Sequence, residues 1–598
     1  MLCAANIAYD IEVDGEPLCL LNDVYFEVPK GHFMAIVGPS GCGKTTLLKT
    51  IAGMNAETEG AFFWNGRDLS EEDFEPYEVG FVPQFSIAYD QLTVDENIES
   101  SAKLRCRFNS PEDLDQRIEQ ILIETGLTEI ADRDVKILSG GQKRRLALAM
   151  ELTSQPSLLL CDEVTSGLDP RSEEDIVKLL HQISRQNGRI VISVTHSLAQ
   201  LELYDSILVL HQGYVAYHGS PRGMSHYFGV DSLEDVYPKL QERTGEQWNR
   251  SWGKRREAYY AKLEVDRQEK ILQGEFVIDG EDENEKLVVD VEIEPDDKEP
   301  VSNEEIEERD DDVADDPRTP SILSQFWTLF ARRWRIFFRD KTQWSLQLIM
   351  ILLFPILVAM FSDKGSGQII SLSATESALS IKNDIETQQL NMKTGSAVSG
   401  IIMFQVILLG LMGSNNAARE IAGERAIVEK EKYAGMKVSS YMLSKWMFLG
   451  TLVLVQSIWM YLFVNFFWDR GGGLTHLSFL ILANAAMTSV CLAISALAKT
   501  ADQASLLSIY LVGFQLPLSG AVLALPTFAE WVIRPFISAY WAWSGSIYSL
   551  KSDVLGSVKN VLDTNLTEIN QCYVVLGIHI LVGMLVAFGA SRASKWDA

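Results

Sequence analysis

The chain has 598 residues, enough for about four domains by length alone, and 81 acidic against 52 basic side chains give it a net charge of −29. Phosphate backbones select for basic surfaces, so this charge argues against nucleic acid as a partner. Seven cysteines occur without a C-x-x-C spacing, so neither a zinc site nor a disulfide framework is indicated.

A strand, a glycine-rich loop and a helix are predicted at the start of the chain. The apolar run Phe33–Val37 precedes a G-x-x-x-x-G-K-[ST] pattern, which in this context predicts a nucleoside triphosphate site. Lys44 would reach the β- and γ-phosphates, and the Thr45 hydroxyl would bind Mg²⁺. The alternative is a glycine-rich turn in an ordinary α/β domain. The predicted nucleotide-binding residues are Gly38, Pro39, Ser40, Gly41, Cys42, Gly43, Lys44, Thr45 and Thr46.

An apolar strand that ends in two carboxylates is predicted at 157–163. Asp162 would hold the Mg²⁺ shell, and Glu163 would polarise the attacking water. Either acid alone could be a solvated strand end. The phosphate loop upstream makes the catalytic interpretation the stronger one.

Leu138-Ser-Gly-Gly-Gln142 stands just before this strand, and here the sequence resembles the ABC ATPases, whose LSGGQ element is their most specific mark. Gln84 looks like the Q-loop glutamine of that family, Asp169 like its D-loop aspartate and His196 like its switch histidine. Alone, Gln84 would be a surface amide and His196 a strand-end histidine. Their order and spacing agree with the family as a set.

The resemblance implies a division of roles among these residues. It assigns catalysis to Glu163, His196 and Gln84, and the Mg²⁺ ion to Thr45, Gln84 and Asp162. Further contacts to ATP are implied for Ser139, Gly140, Gly141, Gln142 and Asp169. In this family the LSGGQ element faces the phosphate loop of a second domain, so the chain is expected to need a partner copy.

Many members of the family also stack adenine on an aromatic residue before the phosphate loop. Tyr9 and Tyr25 are the nearest candidates in this chain. Tyr25 lies in an alternating stretch that is typical of a strand packing its own face. Tyr9 is therefore the prediction.

The remaining domain boundaries follow from composition. The nucleotide-binding domain is predicted at 1–225, and aromatic residues among charges predict a helical extension at 226–274. Residues 275–320 hold 21 acidic and 4 basic side chains, which predicts a disordered linker. A solvated tether is the main interpretation of this linker, and a regulatory role is the alternative.

Long apolar runs predict a transmembrane domain at 321–598. Each run is long enough, or nearly so, to cross a bilayer as a helix. Fourteen basic residues flank the inner side and seven the outer side if the ATPase domain is cytosolic. This predicts a multi-pass protein of the cell membrane with both termini in the cytoplasm. The six predicted spans are about 344–361, 397–413, 441–467, 477–498, 504–525 and 572–590.

Two segments beside the spans are expected to lie at the inner membrane surface. An amphipathic interface helix is predicted at 322–338, where aromatic residues stand among Arg332, Arg333 and Arg335. The loop at 419–433 carries both charge signs at helical spacing. Its simplest interpretation is a solvated helix with i, i+4 pairs.

An ATPase domain before a six-span domain resembles the reverse-order half-transporters of the ABCG (White) type. Residues 424–445 are similar to the charged coupling segment of that family, and residues 528–550 look like its external re-entrant helix. By analogy, Arg332 or Arg333 pairs with Glu424. Arg333 and Glu424 are accordingly the predicted coupling residues.

The predicted fold is an α/β P-loop nucleotide-binding domain followed by an all-α six-helix transmembrane domain. The predicted function is ATP-driven, Mg²⁺-dependent export of a lipidic or amphipathic substrate by a homodimer. Alternatives are a heterodimer with a related half-transporter, a membrane-anchored regulatory or mechanical ATPase, and a polysaccharide exporter. The fusion of the two domains in one chain argues against the polysaccharide exporter. The predicted substrate cavity at the dimer axis is lined by Phe404, Gln405, Met412, Phe514 and Gln515.

Overall fold

The computed structural model describes residues 1–13, 16–85, 87–198, 200–272, 319–361, 378–467, 472–521 and 525–594. The chain divides into two compact units, Met1–Ser321 and Ile322–Ala598. The second unit begins next to residue 321, the predicted start of the membrane domain. The predicted acidic linker lies outside the described residues except at its last two positions, so its disorder stays a prediction.

Two sheets form the framework of the first unit. The strands are β1 Leu2–Val13, β2 Glu16–Val28, β3 Phe33–Val37, β4 Glu59–Trp64, β5 Arg67–Asp68, β6 Val79–Val82, β7 Leu158–Asp162, β8 Ile190–Val194, β9 Ser206–His211 and β10 Tyr214–Gly219. An antiparallel sheet has the order β2-β1-β4-β5, and a second sheet has the order β10-β9-β3-β8-β7-β6. In the second sheet all neighbours pair in parallel except β9 and β10. Every residue of β3, β7 and β8 is buried, as expected for parallel strands covered on both faces.

Helices surround these sheets. They are α1 Lys44–Ile51, α2 Val94–Arg105, α3 Pro111–Thr125, α4 Gly140–Leu152, α5 Pro170–Ser184, α6 Pro221–Phe228, α7 Val236–Leu240 and α8 Gly245–Leu272. A capping box of Thr93 and Glu96 starts α2, and Ser110 caps α3. Helices α2, α3 and α4 share an apolar cluster that includes Ile98, Ile118 and Leu146. They therefore form a helical layer of their own within the unit.

The predicted extension at 226–274 consists of several helices. Its predicted start falls inside α6, because Ser220 caps that helix and Pro221 occupies its first turn. Helix α8 buries Trp248 and Trp252. The buried ring of His218 on β10 lies 2.9 Å from the Tyr260 hydroxyl of α8 and 3.1 Å from the Ser206 hydroxyl of β9. Polar and aromatic contacts thus join the extension to the edge of the sheet.

The described part of the second unit is helical. Its helices are α9 Ile322–Arg339, α10 Lys341–Met360, α11 Ala378–Ala417, α12 Arg425–Tyr433, α13 Val438–Phe467, α14 Gly473–Leu497, α15 Ala501–Leu518, α16 Thr527–Ile533, α17 Ser538–Tyr548, α18 Ser552–Lys559 and α19 Ile569–Ala593. Its core buries large side chains that include Phe479, Tyr540 and Trp543. Helix α11 begins well before the predicted second span at 397, because polar residues continue the helix beyond its apolar part.

Five segments of the described chain are long and apolar enough to cross a membrane. They lie in α10, α11, α13, α14 and α19. The predicted span 504–525 corresponds to α15, which begins at Ala501 and ends at Leu518. Its length is 18 residues, and Asp502, Gln503 and Gln515 lower its mean hydropathy. Residues 522–524 lie outside the described chain, so a full crossing here stays a prediction.

The segment predicted as a re-entrant external helix at 528–550 is not a single helix. Helix α16 ends at Ile533, a 3₁₀ turn covers Arg534–Phe536, and α17 begins at Ser538. Pro535 explains the break, because it lacks an N–H and disfavours helical backbone at the residue before it.

Candidate functional site

The predicted catalytic residues lie at the carboxyl ends of the parallel strands. The phosphate loop follows β3, Gln84 follows β6, Asp162 ends β7 and Glu163 follows it, and His196 follows β8. These strands are neighbours in the order β3-β8-β7-β6, so their ends lie side by side. The topology therefore brings together residues that are far apart in the sequence.

The phosphate loop is shaped for close approach of its backbone to a ligand. The Lys44 ammonium donates to the carbonyl oxygens of Gly38 at 3.0 Å and Pro39 at 3.1 Å. A Cβ on Gly38 would lie 2.3 Å from the Leu210 carbonyl oxygen, so only glycine fits there. Gly43, with φ +101°, precedes α1, and no side chain caps this helix start. The loop thus offers an ammonium and helix-start N–H groups to phosphate oxygens.

A hydroxyl and a carboxylate stand together beside this loop. The Thr45 hydroxyl donates to Asp162 Oδ1 at 3.0 Å. Burial raises the pKa of the Asp162 carboxyl, and the hydrogen bond from Thr45 opposes that rise. No cluster of three or more His, Cys, Asp or Glu that could hold a metal occurs among the described residues. The pair still suits Mg²⁺, which takes few protein ligands and completes its shell with phosphate oxygens and water.

The Glu163 carboxylate is held at both oxygens. Gln84 Nε2 donates to its Oε2 at 3.0 Å, and His196 Nε2 lies 2.5 Å from its Oε1. Glu163 adopts φ +46°, a left-handed backbone that is uncommon for a residue with a side chain. The three predicted catalytic residues therefore meet. Gln84, also predicted at the Mg²⁺ ion, points its amide to Glu163, and its place near a metal stays a prediction.

The LSGGQ element begins α4. The Ser139 hydroxyl accepts from the Gln142 N–H at 3.3 Å, and the Gln142 side chain accepts from the Ser139 N–H at 3.0 Å. Gly140 and Gly141 form the first turn beside the start of α5. Asp169 caps α5 by accepting from the N–H and hydroxyl of Ser172, and these bonds lower the pKa of its carboxyl. Contacts of the LSGGQ residues and Asp169 with the phosphate loop of a second chain stay a prediction.

The two tyrosines considered for adenine have different surroundings. The Tyr25 hydroxyl donates to Glu27, and its ring meets the Tyr260 ring edge-on at 5.6 Å. The guanidinium of Arg256 lies 4.7 Å from the centre of the Tyr25 ring. Tyr25 is thus engaged with α8. Tyr9 is half-buried on β1, and its stacking role stays a prediction.

The coupling residues have partners that the sequence did not indicate. Arg333 makes a two-point pair with Glu420 at 2.5 and 2.7 Å, and Arg332 makes one with Glu431 at 2.5 and 2.8 Å. Glu424 accepts from Tyr441 at 2.7 Å and also pairs with Lys445. Arg333 is thus paired with Glu420, and its pairing with Glu424 stays a prediction.

The residues predicted to line a cavity have separate environments. Gln405 and Met412 are buried within the unit, Phe404 packs against its core and Phe514 is exposed. Gln515 Oε1 accepts from the Ser538 hydroxyl at 3.2 Å and the Ala539 N–H at 3.1 Å, so it caps the start of α17. A small cavity between α11, α14, α15 and α17 has Gln515 in its lining. A shared substrate cavity at a dimer axis stays a prediction.

A buried carboxamide cluster was missed by the sequence reasoning. Gln347 Nε2 donates to Asn416 Oδ1 at 2.6 Å, and Asn416 Nδ2 donates to Gln456 Oε1 at 3.0 Å. Gln456 Nε2 donates to Gln347 Oε1 at 3.0 Å, and Asn484 Nδ2 donates to Gln456 Oε1 at 3.1 Å. The cluster joins α10, α11, α13 and α14. The available signal was the amides of Gln347, Gln456 and Asn484 inside three predicted spans, with Asn416 just after a fourth.

Comparison with known protein families gives one match in each of the two units. Residues 21–166 match the ABC transporter family, and residues 324–543 match the ABC-2 type transporter family. The chain is thus an ABC ATPase domain of α/β P-loop fold followed by a helical ABC-2 type membrane domain. This order, ATPase first, confirms the predicted reverse-order arrangement, and the narrower resemblance to the ABCG (White) type stays a prediction.

Several individual proteins are similar to parts of the chain. The ABC transporter ATP-binding/permease protein Rv1747 of Mycobacterium tuberculosis is 26% identical over 528 residues, covering 86% of this chain and 53% of that protein. The methionine import ATP-binding protein MetN of Mannheimia succiniciproducens is 33% identical over 226 residues, covering 37% of this chain and 65% of that protein. The chain thus spans between half and two thirds of these relatives. A dimeric, ADP- and Pi-bound structure of the ATP-binding cassette MJ0796 covers 37% of this chain and all of its own, at 29% identity and a TM-score of 0.34.

Proposed function

We propose that the chain is an ATP-driven exporter that works as a homodimer of half-transporters and moves a lipidic or amphipathic substrate. The observation that carries the ATPase part is the Glu163 carboxylate between Gln84 and His196, next to the Thr45 and Asp162 pair. The transport part is supported by the ABC-2 type match and by the apolar helices of the second unit.

The chain's own residues would divide the work of hydrolysis. Lys44 and the N–H groups at the start of α1 bind the phosphates. Thr45 and Asp162 hold Mg²⁺, which when bound offsets the negative charge that develops on the phosphates. Glu163 orients the attacking water and accepts its proton, while Gln84 and His196 direct the carboxylate.

A second copy would complete each site. Ser139, Gly140 and Gly141 of one chain donate to the γ-phosphate held by the phosphate loop of the other. The two glycines leave room for a phosphate at the start of α4. Closure of the two ATPase domains on ATP then drives the paired membrane domains from inward-open to outward-open. In this arrangement the ATPase domains lie in the cytoplasm and the second units in the cell membrane.

Glu163→Gln tests the catalytic assignment. The variant keeps a side chain of equal size but loses the base, so ATP hydrolysis in nanodiscs should fall by at least about 10²-fold while ATP binding persists. Turnover of radiolabelled ATP and binding of a fluorescent ATP analogue measure the two properties. Exposed Glu119 on α3 offers a matched control, and Glu119→Gln should hydrolyse at the wild-type rate. Full turnover in Glu163→Gln would remove Glu163 as the base.

Substrate class is tested by the ATPase response to lipids. We expect amphiphiles of one class to stimulate hydrolysis by the nanodisc-embedded protein, because substrate binding and ATP-driven closure are linked. An equal, unstimulated rate with a broad panel of lipids and amphiphiles would favour the alternative of a membrane-anchored ATPase that translocates no solute.

A further inference from the structure

The charged segment at 419–433, called the inner connector below, is packed inside the second unit. The expectation of a solvated helix is wrong here, because Glu420, Lys430 and Glu431 are buried, with exposed fractions of 8, 2 and 8%. Ionic side chains leave water only when partners compensate the loss of hydration. The partners of the connector therefore indicate what it holds.

Two of these partners are helix ends. Helix α14 ends at Leu497 and α19 at Ala593. The last carbonyl groups of a helix have no partner within the helix and carry a partial negative charge. A cation placed at such an end both satisfies the carbonyl oxygens and opposes this charge.

Arg425 takes this position at α14. Its Nη2 donates to the carbonyl oxygens of Ala496 at 2.5 Å and Ala498 at 2.8 Å. The Ser495 hydroxyl accepts from the N–H groups of Ile421 and Ala422, both at 3.1 Å. The connector and the end of α14 are thus bonded in both directions.

Lys432 takes the equivalent position at α19. Its Nζ donates to the carbonyl oxygens of Ser591 and Ser594, both at 2.7 Å, and lies 3.3 Å from that of Arg592. One ammonium therefore gathers the last turn of α19. With the pairs of Arg332 and Arg333 on α9, of Lys445 on α13, and of Arg419 with Ser505 and Asp502 on α15, the connector is bonded to five other helices.

We propose that Lys432 and Arg425 are positioning residues that make the inner ends of α19 and α14 move with the connector when ATP binds. The inference rests on the proposed function, in which the ATPase domains drive the membrane helices. Hydrogen bonds from one cation to several carbonyl oxygens can transmit a displacement from the connector to a helix. Breaking them would leave both the cation and the carbonyl groups without partners, which is unfavourable. The two cations thus link the ends of two membrane helices to one segment.

Amide hydrogen exchange of the full-length chain in nanodiscs tests this assignment. The Glu163→Gln background is used with and without ATP and Mg²⁺, so the result depends on binding and not on turnover. We expect exchange at 587–594 to differ between the two states. Adding Lys432→Met should abolish that difference and speed exchange in the ATP-free state roughly tenfold. Lys432→Arg, which keeps a cationic donor, should restore the difference.

Lys499→Met is the matched control, because Lys499 is exposed just beyond α14 and its loss removes the same charge. Exchange at 587–594 should be unchanged in this control. A Lys432→Met chain that exchanges faster in both states yet keeps the ATP-dependent difference would reduce Lys432 to a structural cap and overturn the proposal. So would an unmodified Lys432 chain with no ATP-dependent difference. Absence of hydrolysis by the wild-type chain would instead contradict the proposed function and leave the exchange comparison readable.

Discussion

At the scale of single residues, the first unit holds a buried histidine that should make the unit less stable at low pH. His218 is buried between Ser206 and Tyr260, and this burial lowers its pKa to about 3. An unfolded histidine titrates near 6.5. The folded protein therefore leaves His218 neutral at a pH where the unfolded chain would take up a proton.

The sign of the pH dependence follows from this difference. As pH falls below about 6.5 the unfolded state gains a proton that the folded state refuses, so stability falls by up to about 1.4 kcal/mol per pH unit. Between pH 7.5 and 5.0 we expect His218→Gln to lose about 2 kcal/mol of this pH dependence. Exchange-derived opening free energies of peptides from β9 and β10 measure it. An equal pH slope in wild type and variant would contradict the assignment.

Residue motifs were the part of the site that the sequence could predict. The contacts of Thr45, Asp162, Glu163, Gln84 and His196 arise where parallel strands end, and short patterns after each strand report that edge. The left-handed backbone at Glu163 has no such pattern, because it depends on how the chain leaves β7 within the folded unit.

At the scale of elements, the carboxamide cluster depends on a close approach of α11 to α14. A Cβ on Gly413 would lie 2.7 Å from Asn484 Oδ1 and Thr488 Oγ1 and 2.8 Å from the Asn484 carbonyl oxygen. Small residues of this kind allow membrane helices to pack closely. Gly400, in the same helix, has open space where a Cβ would be added.

We therefore expect opposite effects from two identical substitutions. Gly413→Ala should lower the free energy of unfolding by about 1–3 kcal/mol, because α11 and α14 must separate and the hydrogen bonds of the carboxamide cluster must lengthen. Gly400→Ala should be neutral or stabilising by up to about 1 kcal/mol, because alanine favours helix. Detergent-induced unfolding followed by tryptophan fluorescence compares them. Equal stabilities of the two variants would show that α11 and α14 are not held this closely.

Helix pairing also explains which coupling contacts escaped prediction. Glu420 and Glu424 are four residues apart, and only Glu424 was predicted from the sequence as a partner for Arg332 or Arg333. The choice of Glu420 is set by how α9 packs beside α13 and the connector, which no local spacing reports. Periodicity similarly located the apolar helices but not their polar continuations, such as the early start of α11.

At the scale of the whole molecule, the proposed site shared by two chains predicts complementation between two inactive variants. Lys44→Ala disables the phosphate loop, and Gly141→Asp places a carboxylate where the LSGGQ element should receive a phosphate. In a mixed dimer the intact loop of one chain meets the intact LSGGQ element of the other, so one site is restored. We expect each variant alone to be inactive and the co-expressed pair to regain part of the wild-type ATPase rate.

The same experiment has a clear negative outcome. Sites formed within single chains would leave the co-expressed pair as inactive as either variant. Separately purified variants that are mixed without subunit exchange provide the control, because they contain no mixed dimers.

The contacts of Lys432 also set an order of events during biosynthesis. The pair of Arg333 and Glu420 joins residues 87 apart, whereas Lys432 reaches the Ser594 carbonyl across 162 residues. A chain emerging from the ribosome can make the first pair while much of the membrane domain is still unmade. The Lys432 ammonium finds these acceptors only after α19 has been inserted. The contacts of Lys432 therefore form only after α19 has been made, and a chain truncated before Ser591 retains a cation without these acceptors.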